Sequence, residues 1–232
     1  KVGLEAGDYD FTEFDQPIYG YAWTQGSAKD VAAPALDVHD SDVRPSGFLL
    51  EGKKRGQLPQ GDALTYDWFV RGKGSESLYN LRNISESDLP WRATITFSDV
   101  NAEYQPNSAV AQRNSTSVRT VREQNIDMTT MAMIADDAQP RAERFLRRQW
   151  IGATQLTMGL SPLELLLDPC DVKDIELEDG VSIRARLVSS TRHADRSFTT
   201  RWEQDDARPV AGQNPDPIVS VIIASPGAEA EG

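Results

Sequence analysis

Apolar and polar residues alternate most regularly in the segment from Trp91 to Ser98, which reads Trp-Arg-Ala-Thr-Ile-Thr-Phe-Ser. Successive side chains of a β-strand point to opposite faces, so this period of two predicts a strand with one apolar and one polar face. Asp179-Gly180 lies between two further runs and predicts a hairpin. Runs rich in β-branched and aromatic residues predict strands at 18–23, 47–51, 64–70, 154–160, 163–167, 174–177, 181–188, 198–202 and 218–223.

A spacing of three and four residues between apolar positions predicts an amphipathic helix over 137–151. Asp136 is the expected N-cap, Gln139 occupies the capping-box position, and Gly152 follows the end of the helix. The apolar stripe consists of Ala138, Ala142, Phe145, Leu146 and either Gln149 or Trp150. Arginines lie mostly off this stripe, at Arg141, Arg144, Arg147 and Arg148.

A shorter helix is predicted at 28–37. Ser27 is a favourable N-cap, and Asp30 lies in the first turn, where a negative charge is stabilised. Pro34 is expected to shorten or kink this helix, because proline lacks the N–H that helix hydrogen bonding requires.

Many short strands with one amphipathic helix predict an α+β fold of mostly antiparallel strands. We expect a smaller α+β unit at 1–85, a small β-barrel or sandwich at 86–224 with the helix packed on it, and a linker at 225–232 leading to a further domain. The polar segment 110–128 has few apolar residues, so we expect it to extend from its barrel as an arm that contacts a neighbouring subunit. Because the chain starts at Lys1 and ends in a linker-like composition, we expect it to be an internal piece of a longer polypeptide.

The chain is acidic, with 36 Asp and Glu against 24 Lys and Arg and a net charge of −12. Phosphate backbones repel such a chain, which disfavours ordinary nucleic-acid binding. No apolar run approaches the ~20 residues that span a bilayer, so no stable membrane anchor is expected. The single cysteine, Cys170, excludes an internal disulfide.

Catalytic signatures are scarce, and we assign no catalytic, cofactor-binding or metal-binding residue. The sequence contains no HExxH, P-loop or GxSxG motif. Cys170 could form a nucleophile pair with His39 or His193 only if the fold brought them together, and a turn or core role is favoured. Two acidic groups (Asp8, Asp10, Glu13 and Asp15; Asp168, Asp171 and Asp174) are interpreted as solvated loops and turns rather than cation sites.

The motifs of the second half occur in an order that resembles a known family. They are Asp88-Leu89-Pro90, Ile95-Thr96-Phe97-Ser98-Asp99, Glu103-Tyr104-Gln105-Pro106, Ala142-Glu143-Arg144-Phe145-Leu146 with Trp150, and Leu167-Asp168-Pro169-Cys170-Asp171-Val172. Together they resemble the phage-tail domain of the large tail hub proteins of siphophages and gene transfer agents. The family usually carries glycine before Asp171, so Cys170 indicates a different turn or mild strain there.

The resemblance implies a structural, non-enzymatic part of the tail tip or baseplate hub, at the distal end of the virion tail. Such a protein joins the tail tube to the tip and lines or closes the DNA channel. The implied partners are copies of itself in a homotrimer, the tail tube, distal tail and tape measure proteins, and tip fibre or receptor-binding proteins used in host attachment. DNA is then a partner only in transit, and we expect part of the acidic residues to line its channel.

Two other functions remain open from the sequence. A cell-wall hydrolase of the glycosidase type needs two carboxylates across a cleft, and no such pairing is recognisable. A carbohydrate-binding module needs exposed aromatic rings, whereas the tryptophans mostly follow strand or helix patterns that suit the core: Trp23, Trp68, Trp91, Trp150 and Trp202.

Overall fold

The computed structural model describes residues 5, 7–14, 18–22, 26–71, 77–113, 120–161, 167–178, 180–194, 197–206 and 218–223, with backbone alone for residue 28 and for 218–223. Its helices are α1 (Ala28–His39) and α2 (Ala135–Ile151). Its strands are β1 (Tyr9–Asp10), β2 (Gly20–Tyr21), β3 (Ser41–Ser46), β4 (Leu49–Lys54), β5 (Phe69–Val70), β6 (Tyr79–Asn83), β7 (Arg92–Asp99), β8 (Gln105–Arg113), β9 (Glu123–Met133), β10 (Thr154–Leu160), β11 (Val172–Glu176), β12 (Ser182–Arg192), β13 (Phe198–Gln204) and β14 (Ile218–Ile223).

The chain forms two compact units, and each unit is assembled from segments that are separated in sequence. Unit 1 comprises residues 1–14, 41–84 and 151–212, and unit 2 comprises residues 15–40, 85–150 and 213–232. The sequence predicted two consecutive units instead, and one crossover, between Ile84 and Ser85, falls at the predicted boundary. Helix α1, which the sequence placed with the first unit, lies in unit 2.

Unit 2 is built on a five-stranded sheet in the order β14-β8-β7-β9-β2. Strand β7 pairs antiparallel with β8 and parallel with β9, and its residues alternate between half-buried and buried, as the sequence predicted. Ile95 and Phe97 point to a core that contains Leu146 of α2 and Val38 of α1. These four side chains are at most 1% exposed, so this core holds both helices in unit 2.

Both helices differ in detail from their predictions. Helix α1 extends two residues further, to His39, although Pro34 lies inside it; the Ser27 hydroxyl accepts the N–H of Asp30 as expected. Helix α2 begins at Ala135, so Asp136 lies in its first turn. Gln139 does not cap the helix start, because its side-chain nitrogen donates to the backbone oxygen of Val110, 3.1 Å away.

Unit 1 contains a six-stranded sheet and a three-stranded sheet. In the first, the order is β11-β12-β13-β10-β5, and β6 also pairs with β10. Its core includes Trp202 and Leu187, which are 0% exposed. The β11–β12 hairpin is confirmed, with Leu177 donating its N–H to the oxygen of Val181. The second sheet has the order β1-β4-β3.

Several strand predictions were wrong or incomplete. Segment 64–70 forms a one-residue bridge at Leu64, a 3-10 turn and the short β5 rather than one strand. The sequence missed β3, β6 and β8, which carry few large apolar residues. Both ends of the predicted arm, 110–113 and 123–128, are sheet strands. Of the predicted strand 163–167, only residue 167 is among the described residues. Residues 114–119 of the predicted arm lie outside them.

The predicted fold class is confirmed. The described strands pair mostly antiparallel, and an amphipathic helix packs on one of the sheets. Two pairings are parallel, β1 with β4 and β7 with β9. The sequence did not predict either of these.

Candidate functional site

The strongest candidate for a functional surface is the face of the five-stranded sheet that points away from α2. Three rows of paired residues cross β8, β7 and β9 on this face, which we call the polar face. The rows are Gln112–Arg92–Glu123, Val110–Thr94–Asn125 and Ser108–Thr96–Asp127. Because strand residues alternate between faces, the buried Ile95 and Phe97 on the other side place the polar members of these rows here. Val110, in the middle row, is apolar and 2% exposed.

The charges on the polar face are few and mostly negative. Arg92 lies 3.7 Å from Glu123 between the guanidinium nitrogen and the carboxylate oxygen. Asp127 accepts the N–H of Thr129 at 3.0 Å and its hydroxyl at 2.7 Å. These two bonds, the backbone bond first, hold the pKa of Asp127 below its usual value. Asp127 therefore stays ionised at neutral pH, and its charge faces solvent.

One arginine of α2 is buried in unit 2, and the others are half-buried. Arg141 is 7% exposed; it donates to the backbone oxygen of Val38 at 3.2 Å and to the sulfur of Met133 at 3.0 Å. Burial lowers the pKa of this guanidinium. The arginines were expected to lie mostly off the apolar stripe, and Arg141 is an exception. Arg144 and Arg148 are half-buried, and Arg148 forms an ion pair with Asp40 at the end of α1.

A network of charges in unit 1 joins the β3–β4 hairpin to the turn before β11. Arg44 binds Asp171 at 2.5 Å and Glu51 at 3.1 Å, and donates to the oxygen of Pro169 at 3.1 Å. The Arg44 and Asp171 side chains are only 10% and 14% exposed. Sequence reasoning missed this pair, because no local pattern links residues so far apart in the chain. A second cluster in this unit joins Asp42 to Arg55 and Arg186.

The three aspartates that recur at spacings of three do not converge on one site. Asp171 binds Arg44, Asp168 accepts the hydroxyl of Ser46 at 3.2 Å, and Asp174 pairs with Arg184 at 3.1 Å. Each carboxylate therefore has a separate protein partner.

The acidic residues near the start of the chain also bind different protein partners rather than one common site. Asp8 accepts the N–H of Glu5, Asp10 accepts from Thr12, and Glu13 accepts from Lys53 and Gln57. Asp15 lies outside the described residues. In the part of the chain that the structure describes, no three His, Cys, Asp or Glu side chains are placed to hold a metal ion.

The surroundings of Cys170 disfavour ionisation of its thiol. Burial, and next the negative charge of Asp42, raise the pKa of its thiol. His193 shares a hydrogen bond of 2.7 Å with the hydroxyl of Thr199 instead. Cys170 has a φ of 78°, which lies in the left-handed region, where a residue with a Cβ atom is strained.

A carbohydrate site needs exposed aromatic rings, but two of the tryptophans make contacts within their own unit. Trp202 is 0% exposed and donates to Thr200 at 2.8 Å. Trp150 donates to the oxygen of Pro90 at 2.7 Å, and the guanidinium of Arg113 lies 3.8 Å from the centre of its ring. Trp23 lies outside the described residues. Among the helices described, none has the length and apolar character needed to cross a membrane.

A family model and a solved structure both relate this chain to components of phage-like particles. A family model described as "Putative phage tail protein" matches residues 27–190, well over half of the chain. Curated protein sequences yield no match. A chain of the virion of the native gene transfer agent particle is similar in structure, with a TM-score of 0.69 and 14% identity over 83% of this chain.

Two prophage proteins are more distant structural relatives. The 43 kDa tail protein of prophage MuSo2 from Shewanella oneidensis has a TM-score of 0.45 and 13% identity, with 78% of this chain and 54% of that protein covered. Prophage tail protein gp18 from Listeria monocytogenes EGD-e has a TM-score of 0.41 and 14% identity, with 79% and 54% covered. The chain spans 43% of the length of the gene transfer agent protein.

Proposed function

The chain belongs to the family of phage tail proteins, and on this basis we propose that it is a structural part of the tail tip or baseplate hub of a phage or gene transfer agent. In this role it joins the tail tube to the distal tip and lines or closes the channel through which DNA passes. It works as a homotrimer and without catalysis, in contact with tail tube, distal tail and tape measure proteins and with tip fibre or receptor-binding proteins. The fold that it shares with a chain of the gene transfer agent virion supports this assignment.

The polar face is the observation that carries the channel-lining role. Its apolar counterpart is covered by α2, so the polar face needs no internal partner to be stable in unit 2. Hydroxyl and amide groups dominate it, and its carboxylates, Glu123 and Asp127, outnumber its one cation, Arg92. A surface of this kind repels phosphate, so a DNA molecule passes it without adhering.

Imaging assembled particles tests the proposal. Particles that carry the full-length protein would be reconstructed by electron cryomicroscopy, and this chain would be placed in the density. We expect copies related by threefold symmetry at the distal end of the tail, with Thr94 and Thr96 facing the lumen. Placement of the chain elsewhere in the particle, or a polar face packed against another protein, would contradict the proposal.

A second measurement addresses the enzymatic alternative. Purified protein would be incubated with peptidoglycan, and soluble fragments would be quantified. We expect no hydrolysis above the buffer level. Hydrolysis that disappears when a single carboxylate is replaced by its amide would establish a cell-wall-degrading function instead.

A further inference from the structure

Unit 2 contains a pocket between α2, the end of α1 and the five-stranded sheet, and its walls are charged. Arg141, Arg144 and Arg148 line it from α2, where spacings of three and four residues place them on one face of the helix. Asp37 and Asp40 line it from the end of α1. We call this site the arginine pocket.

Positive charge is in excess on these walls, although the chain as a whole is acidic. Arg148 forms an ion pair with Asp40. Among the described residues that line the pocket, Asp37 supplies the remaining carboxylate, whereas Arg141 and Arg144 supply two further guanidinium groups. The walls therefore carry one positive charge more than negative charges, which suits a ligand with a single negative charge.

Arg141 is the most deeply buried of these cations. It is 7% exposed, and it donates to the backbone oxygen of Val38 and to the sulfur of Met133. Both acceptors are neutral, and a thioether sulfur is a weak acceptor. Burial is the main cause that lowers the pKa of Arg141; Asp137 opposes it, and the charge of Arg144 adds to it. An anion between Arg141 and Arg144 would offset both the burial and the repulsion.

The floor of the arginine pocket is apolar. Ile95 and Met128 belong to the core of unit 2 and are 1% and 3% exposed, and the half-buried Phe145 adjoins them. The enclosed part of the pocket holds about one water-sized group, and the rest opens to solvent. A ligand of this pocket therefore needs a small apolar end as well as a negative charge. Phosphate, which has oxygen atoms on every side, meets only the second need.

We propose that the arginine pocket binds a carboxylate on a short apolar stem, with the carboxylate between Arg141 and Arg144 and the stem against the apolar floor. The planar fork of a guanidinium group matches the two oxygens of a carboxylate. A small aliphatic acid and a Glu or Asp side chain of another chain present this same chemistry. Because α2 lies on the opposite side of the sheet from the polar face, the inference goes beyond the channel-lining role and does not depend on it.

Titration of the isolated chain with sodium propionate tests the site. The Nε–H resonances of the arginines would be followed by NMR, with sodium chloride added to keep the ionic strength constant. We expect saturable shifts for Arg141 and Arg144. Formate lacks the apolar stem and propionamide lacks the charge, so each should bind at least several-fold more weakly than propionate. Absence of saturable shifts with propionate, or equal binding of propionamide, would overturn the proposal.

Two variants of α2 locate the binding. Arg144 and Arg147 are both half-buried on this helix, and Arg147 lies outside the arginine pocket, so Arg147→Gln is the matched control for Arg144→Gln. Each substitution removes one positive charge, so a general effect of net charge would appear in both. We expect Arg144→Gln to weaken propionate binding at least tenfold and Arg147→Gln to weaken it less than twofold. Equal effects of the two substitutions would contradict the assigned site.

The shape of unit 2 is monitored in the same spectra. The Arg148 resonance reports whether the contact between α1 and α2 persists in each variant, because Arg148 forms an ion pair with Asp40. Arg141 is left unaltered, since it also joins the two helices through the oxygen of Val38. The comparison of propionate, formate and propionamide on the unaltered chain requires neither variant, so it remains decisive if Arg144→Gln unfolds.

Assembled particles distinguish the two sources of the carboxylate. Particles would be imaged by electron cryomicroscopy in a buffer that contains propionate, and the arginine pocket would be inspected. Density continuous with a Glu or Asp side chain of another chain would identify a protein source, because a tethered carboxylate outcompetes a free one. Density separate from every chain would identify a small acid as the ligand. A pocket without density, or one filled by a basic side chain, would overturn the proposal.

Discussion

At the scale of single residues, Cys170 shows how the backbone limits the choice of side chain. Its φ of 78° is in the left-handed region, which costs a residue with a Cβ atom about 1 kcal/mol relative to glycine. The resemblance to tail hub proteins indicated either a different turn or strain at this position. The structure shows strain here, because the φ of Cys170 is positive. The N–H of Cys170 donates to the oxygen of Leu187 at 2.7 Å.

Replacement of Cys170 by glycine should therefore stabilise the turn relative to replacement by alanine. Both variants lose the thiol, so their difference isolates the Cβ atom. We expect the free energy of unfolding of Cys170→Gly to exceed that of Cys170→Ala by about 0.5–1 kcal/mol, measured by denaturant titration. At most positions glycine is the less stable of the two, so an alanine variant of equal or higher stability would contradict the strain.

Residues whose roles depend on distant partners were not predictable. The sequence identified Asp168, Asp171 and Asp174 as turn residues; Asp168 and Asp171 precede β11, whereas Asp174 lies within it. It gave no indication that Arg44 would bind Asp171, because a salt bridge between distant segments leaves no period or motif in either one. Arg141 was misplaced for a similar reason: its partner is a backbone oxygen of α1, which no side-chain pattern reports.

At the scale of elements, strong periodicity was a reliable guide and weak periodicity was not. The alternation in β7 and the stripe of α2 were both predicted, because large apolar residues recur at the required spacing. Strand β3, which reads Ser-Asp-Val-Arg-Pro-Ser, was missed because its buried positions are Ser41 and Arg44. Its pairing with β4 and its ion pairs stabilise it instead of an apolar side chain.

The stripe of α2 leads to a stability prediction. Leu146 is 0% exposed in the core of unit 2, so Leu146→Ala should lower the free energy of unfolding by about 2–5 kcal/mol. Phe145 is half-buried against the same core, so Phe145→Ala should cost less than Leu146→Ala. Gln149→Ala, at a half-exposed position of the same helix, is the control and should change stability by less than about 0.5 kcal/mol.

Thermal or denaturant unfolding followed by circular dichroism would measure these differences. A cost below about 1 kcal/mol for Leu146→Ala would show that α2 does not hold the sheet of unit 2 through this residue. The result would then contradict the packing on which the polar face depends, because an uncovered apolar face would need another partner.

At the scale of the whole molecule, the order of elements along the chain concealed how they combine. Strands β10 to β13 follow α2 in sequence, yet they belong to unit 1 with β3 to β6, whereas α1 belongs to unit 2. Sequence periodicity describes neighbours along the chain, so it predicted the fold class together with two consecutive units, whereas each unit is assembled from separated segments.

The polar face allows a direct test of the channel-lining role through charge. Asn125 is an exposed, neutral residue in the middle row of this face, so Asn125→Lys adds one positive charge per copy without removing an acidic group. If the face lines a DNA channel, the added charge attracts phosphate and slows DNA passage. We expect DNA release from purified particles, followed by dye fluorescence, to slow several-fold at low salt, with a smaller effect at high salt.

The matched control is Asn80→Lys, the same substitution at an exposed position of a strand in unit 1. Both variants change the net charge equally, so a general effect of charge on particle stability would appear in both. Because DNA is attracted only to charges that it passes closely, the proposal requires slower release with lysine at 125 than at 80. Equal release rates at low salt, in particles that contain normal amounts of each variant, would show that the polar face does not line the DNA path.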